Sequence, residues 1–137
     1  MDRRLARKET LNLLFEYTFN EEKSAAELFN CALDARDLEP DDFVRTVVTG
    51  VIENMDKLDT LIEANLKAWK KNRLPRVTLS ILRMATYEIL FMKDIPTSVS
   101  INEAVELAKI FGNEKDASFI NGLLGSVARA LDGGEEK

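Results

Sequence analysis

The sequence predicts an all-α protein of about seven helices in two packed helical subdomains, and three observations carry that prediction. Apolar residues recur at helical spacing along almost the whole chain, and no stretch shows the alternation of a half-buried strand. Helix-start and helix-stop residues punctuate the pattern at short intervals. A chain of 137 residues can bury roughly two-thirds of its unfolded surface, so it needs neither disulfide nor metal to hold a core.

The first helix is expected over about 3–19, with Asp2 as its N-cap, Leu5, Leu11, Leu14, Phe15, Thr18 and Phe19 as its apolar stripe, and Asn20 as its end. Ser24 opens a second helix running to about Arg36, and Glu27 three residues on makes a capping box. Glu39-Pro40-Asp41-Asp42 starts a third, where proline and acids both suit a helix N-terminus. It carries Phe43, Val44, Val47, Val48 and Val51 to about Asn54. A fourth begins near Asp56, carries Leu58, Leu61, Ile62 and Leu66, and ends near Trp69.

Pro75 starts a fifth helix to about Met92, apolar over so wide an arc that it should be central and contacted from several sides. Asp94-Ile95-Pro96 breaks it. Ser100 and Glu103 read as a second capping box for a sixth helix that Gly112 ends. Asp116 or Ser118 starts the last helix, to about Leu131. One domain over 1–137 is expected, with subdomains of roughly 1–55 and 56–132 sharing an interface and 133–137 as a flexible tail.

Composition narrows function mainly by exclusion. The chain has no histidine and one cysteine, which removes most metal and nucleophile arrangements. No Gly-rich phosphate loop is present, and Asp41 and Asp42 are explained as helix-start residues. The reading is a protein without catalytic residues, metal or cofactor. Cys31, in an apolar-rich stretch, reads as a buried filler. No apolar run approaches a membrane span, and the N-terminus lacks the apolar segment of a secretory leader, so a cytoplasmic protein is expected.

The net charge of −5 argues against nonspecific coating of nucleic acid, but the cations are unevenly placed. Lys67, Lys70, Lys71, Arg73, Arg76 and Arg83 lie between Ala64 and Tyr87 without an acid among them. Arg3, Arg4, Arg7 and Lys8 crowd the first turns of the first helix, where cations oppose the helix dipole. Spacings of four put 3 with 7 and 4 with 8 on adjoining faces, a cluster that could follow a phosphate backbone or simply be solvated. Phe15 and Phe119 fit core positions by spacing, yet aromatic rings are also what unstacked RNA bases stack upon.

The C-terminal half has a distinctive text. It reads Ile81-Leu82-Arg83-Met84-Ala85-Thr86-Tyr87-Glu88, then Asp94-Ile95-Pro96. Ser100-Ile101-Asn102-Glu103-Ala104-Val105-Glu106-Leu107-Ala108-Lys109 and Phe119-Ile120-Asn121-Gly122-Leu123-Leu124 follow. In order and spacing these strings closely resemble the NusB family of bacterial transcription antitermination factors. Residues 3–9, leading to Leu14-Phe15, resemble that family's arginine-rich first helix. The resemblance covers nearly the whole chain, strongly from about Trp69 to Leu124 and more loosely over 20–60.

The resemblance implies two packed helical subdomains and an RNA-binding function. Its members pair with NusE, a small-subunit ribosomal protein, and bind boxA RNA of nascent transcripts, chiefly of ribosomal RNA operons, with other Nus factors and RNA polymerase joined indirectly. Carried to this chain, it implies RNA contacts at Arg3, Arg4, Arg7, Lys8, Phe15, Lys115 and Phe119, and protein-partner contacts at Thr78, Arg83 and Tyr87. Phe15 stands where the family usually has Tyr, Thr78 where it often has an acid, Gly125 where Asp is common and Asn12 where Gln is common. Asn102, Asn121, Gly122 and Pro96 have structural readings in caps, close packing and turns, and Arg83 and Glu88 in pairing across the bundle. The alternative reading is a protein-only helical interaction module, or a homodimer that masks the basic face.

Overall fold

The computed structural model describes residues 2–36, 41–66 and 73–135, with backbone alone at 34–36 and 133–135. The expectations placed on Glu39-Pro40 and on Lys67, Trp69, Lys70 and Lys71 lie outside the described residues. Seven helices, and no strand, make up the described chain: α1 (Arg3–Tyr17), α2 (Ala25–Arg36), α3 (Asp42–Glu53), α4 (Met55–Ala64), α5 (Arg76–Phe91), α6 (Thr97–Phe111) and α7 (Glu114–Glu135).

The N-terminal caps work as their chemistry dictates. The Asp2 carboxylate accepts from the Leu5 N–H at 2.8 Å, and Asp41 does the same for Val44 at 3.0 Å. Ser24 and Glu27 form the expected reciprocal box. Residues that satisfy otherwise orphaned N–H groups fix where a helix can begin.

Two starts differ from expectation. Helix α6 begins at Thr97, directly after Pro96 in extended backbone, so Ser100 lies inside the helix rather than at its cap. The second capping box is at Asn113 and Asp116 instead, whose side chains accept from each other's backbone N–H. That brings the start of α7 forward to Glu114. At the other ends, α7 extends to Glu135 and α4 stops at Ala64, where the Asn65 amide donates to the Leu61 carbonyl.

Helix α5 is the axle of the molecule. It packs against α1, α3, α4, α6 and α7, and every residue from Ser80 to Ile89 is buried, as its wide apolar arc predicts. It meets α3 closely at Gly50, where any Cβ would fall on the Tyr87 ring. Gly122, read from sequence as the close-packing glycine, meets open space instead. One continuous buried cluster draws on all seven helices and crosses the expected division near 55–56.

Helix α1 is rotated from the predicted stripe. Its buried positions are Ala6, Arg7, Glu9, Thr10, Leu11, Leu13 and Leu14, whereas Leu5, Phe15 and Phe19 are exposed. Helix α2 likewise buries Leu28, Phe29 and Ala32 and turns Cys31 outward, so this thiol is no core filler. Asn102 and Asn121 stand exposed inside helices, not at caps.

Candidate nucleic-acid interface

Four cations were expected to share the start of α1, and the structure separates them. Arg3 is exposed and lies over the Phe43 ring of α3, 4.5 Å from its centroid. Arg4 is exposed on the opposite flank, where its guanidinium meets Glu103 of α6 at 3.3 and 3.4 Å. Lys8, four residues on and half-buried, lines a cleft with Arg4, Arg7, Glu103, Glu106, Leu107 and Ile110.

Arg7 turns inward and is only 3% exposed. Its Nη2 and Nε donate to the two oxygens of Glu88 at 2.6 and 3.0 Å, and Ser100 donates to the same carboxylate at 3.0 Å. This ties α1, α5 and α6 together. A charge removed from water must be paired and hydrogen-bonded, and Glu88, 1% exposed, meets that need for Arg7. Arg7 therefore presents no charge to a phosphate backbone.

One face of α1 runs along exposed Arg4, half-buried Lys8, and exposed Asn12 and Phe15, and Phe19 continues it just past the helix end. Steps of three and four residues put these side chains in one row. Phe15 is 38% exposed and meets Phe19, 57% exposed, edge to face at 5.2 Å. Phe15, Asn12 and Leu11 border a groove of about 460 Å³ completed by Pro75, Arg76, Val77 and Phe111. On the far side of Pro75 a second groove, about 360 Å³, is lined by Arg73, Leu74, Thr78, Lys115, Asp116 and Phe119. Cations and rings from α1, α5 and α7 thus border adjoining hollows that meet at Pro75.

The three residues expected to touch a protein partner are buried. Thr78 is 4% exposed, at the floor of the second groove. Arg83 is 5% exposed and donates to both oxygens of Asp59 on α4 at 2.9 Å each. Tyr87 packs between Gly50 and Phe91, its ring 5.0 Å from the Phe91 ring. Burial pushes the Tyr87 phenol above its ordinary pKa, and Glu53 adds to the rise. Because α5 is enclosed by five helices, a distinctive residue on it is more often a girder than a contact. The pairing of Arg83 and Glu88 across the bundle is as the sequence suggested, with Asp59 and Arg7 as the partners.

Sequence reasoning missed Arg76, Phe19, Phe111 and Arg73 on this surface. Arg76 and Arg73 belong to the acid-free basic window, which was the available signal. Phe19 was hidden by the misplaced stripe, and nothing in the sequence marks Phe111.

The family model of NusB, described as the NusB family, matches residues 4–129. The chain belongs to the NusB family. A transcription antitermination protein NusB of Clostridium perfringens (strain SM101 / Type A) is 44% identical over 135 residues, covering 96% of this chain and 99% of that protein. A solved NusB of T. maritima superposes with a TM-score of 0.83 at 36% identity, over 94% of this chain and 92% of that one. A structure of antitermination factors NusB and NusE in complex with dsRNA shares the fold at a TM-score of 0.82, with 24% identity over 93% and 96% of the two chains. NusB proteins are transcription antitermination factors, not enzymes. Among the described residues no helix is long and apolar enough to cross a membrane.

Proposed function

We propose that this NusB-family antitermination factor binds boxA-type single-stranded RNA of nascent transcripts, mainly from ribosomal RNA operons, as a heterodimer with NusE. The observation that carries the reading is the run of grooves along α1 and around Pro75, bordered by Arg4, Lys8, Phe15, Lys115 and Phe119. Cations neutralise phosphates and fix the strand's position, while rings take unstacked bases. Arg3, exposed over Phe43, extends the positive charge toward α3. Arg7 acts only indirectly, by holding α1 against α5 and α6. The relative solved with NusE and dsRNA shares this fold and supports NusE and RNA as partner classes; the single-stranded boxA element is our own proposal. Other Nus factors and RNA polymerase join through the assembled complex.

Because Thr78, Arg83 and Tyr87 are buried, the proposed partner contact falls beside them rather than on their side chains. Phe91, 41% exposed beside Tyr87 with the Lys57 ammonium 5.3 Å from its ring centroid, is the accessible neighbour.

A titration of boxA-type RNA against a scrambled RNA of equal length, with and without NusE, tests the reading. Tighter binding of boxA-type RNA, strengthened by NusE, is expected. Equal affinity for the two RNAs in the presence of NusE would refute it.

A further inference from the structure

We infer that Phe19 and Arg76 form a second stacking station on this surface, which takes an unpaired RNA base next to the one at Phe15. The inference rests on the proposed RNA-binding reading and extends it to residues that neither motif nor resemblance singles out.

Phe19 is the most exposed large apolar side chain described, at 57%. It stands just past the end of α1 rather than in the core. The Arg76 guanidinium lies over its ring, 4.2 Å from the centroid. The same guanidinium donates from Nη1 to the Thr18 carbonyl at 2.6 Å, the carbonyl of the α1 C-cap. Two separate contacts therefore hold Arg76 in place before any ligand arrives. An arginine fixed on a ring loses little conformational freedom on binding, and both its plane and its charge stay usable.

The ion pairing of the arginines separates their roles. Arg7 and Arg83 are each held by a buried carboxylate, and Arg4 meets Glu103. Among the described residues no carboxylate lies within ion-pair distance of Arg76. Its charge is left for an anion from outside. Phe15 stands edge-on to Phe19, with 79° between the ring planes, so the two rings do not collapse face to face. Arg76 also lines the groove that holds Phe15, which makes the two stations neighbours.

An aromatic ring topped by a fixed, uncompensated guanidinium suits a nucleotide, which brings a π-face and a phosphate together. A protein carboxylate would satisfy Arg76 but would leave Phe19 unused. The surface therefore favours RNA over a protein side chain.

The test uses boxA-type RNA carrying 2-aminopurine at successive positions, with the full chain and NusE. Phe19→Leu keeps the apolar bulk and removes the ring; Arg76→Lys keeps the charge and removes the stacking plane. Unchanged circular dichroism and urea midpoints establish that both variants are folded. One position should lose its fluorescence quenching in Phe19→Leu and in Arg76→Lys while the position served by Phe15 keeps it. Affinity should fall roughly 10-fold in Phe19→Leu, and an abasic nucleotide at that position should abolish the difference from the unaltered chain. Full affinity and quenching in Phe19→Leu, alongside loss of binding in Phe15→Ala, would overturn the inference and leave the RNA reading standing. Weakened NusE binding with unchanged RNA binding would overturn it in favour of a protein contact. Failure of the unaltered chain to bind RNA would overturn the RNA reading and this inference together.

Discussion

Arg7 and Arg76 are the same residue in opposite circumstances. Arg7 is buried in α1 and clamped by Glu88, with Ser100 completing the carboxylate's hydrogen bonds. Arg76 is exposed at the start of α5, resting on a ring and a backbone carbonyl. Arg83 belongs with Arg7, and Arg4 is intermediate, exposed but paired with Glu103. A buried guanidinium has lost its water and depends on its carboxylate, so it carries structure. An exposed one keeps its hydration and can exchange one anion for another, so it can carry function.

The largest effect expected from this contrast is at Arg7. Arg7→Ala strands the Glu88 carboxylate in the core and should cost about 3–5 kcal/mol of stability, read from urea unfolding. The Arg7→Ala, Glu88→Ala double variant should lose less than the sum of the two singles, because the pair acts as a unit. Strict additivity would break the comparison.

Next comes the exposed row of α1. Arg4→Ala combined with Lys8→Ala should leave the unfolding midpoint nearly unchanged, within about 0.5 kcal/mol. It should instead flatten the dependence of RNA affinity on salt, by roughly 0.7 in log–log slope for each phosphate no longer neutralised. A fall in stability without a change in that slope would place these cations with Arg7.

Glu103→Gln sharpens the intermediate case. Glu103 holds Arg4 at 3.3 Å and stands 4.0 Å from Arg7. Freeing Arg4 should raise RNA affinity by about 2- to 5-fold at low salt, since an exposed pair is worth only up to about 1 kcal/mol. The gain should fade as salt rises.

The smallest effect concerns carboxylates rather than guanidiniums. Hydrogen bonds from Ser24 hold the exposed Glu27 carboxyl below its usual range. A carboxyl depressed in the folded state adds stability that is complete above its unfolded pKa and is lost as pH falls through the folded value. The start of α2 should therefore fray in acid, visible as faster hydrogen exchange at the Ser24 amide, while the rest of the molecule keeps its protection.

Capping explains why so much of the fold was legible in the sequence. Asp2, Ser24 with Glu27, and Asp41 act within three residues of themselves, so local text suffices. Ser100 shows the limit. It has the spelling of a cap, yet Pro96 starts the helix earlier and the hydroxyl is drawn inward to Glu88. The stripe of α1 failed for a related reason. Leu11 and Leu14 are buried as expected, but Phe15 and Phe19 look like core by composition, and only the packing of α1 against α3 and α5 decides that Thr10 and Leu13 point inward instead.

The candidate site divides along the same line. Sequence strings identified the family and pointed to the basic start of α1, Lys115 and Phe119 as candidates, because these are matters of residue type and order. Burial is not. Whether an arginine meets water or a carboxylate depends on residues 81 and 24 positions away, as Arg7–Glu88 and Arg83–Asp59 show. The chain by itself thus determined helical class, five of the seven helix starts and family, all set by local hydrogen bonding and by order along the sequence. The tertiary structure alone decided which cations stay exposed, because desolvation is settled only when distant helices close around a side chain.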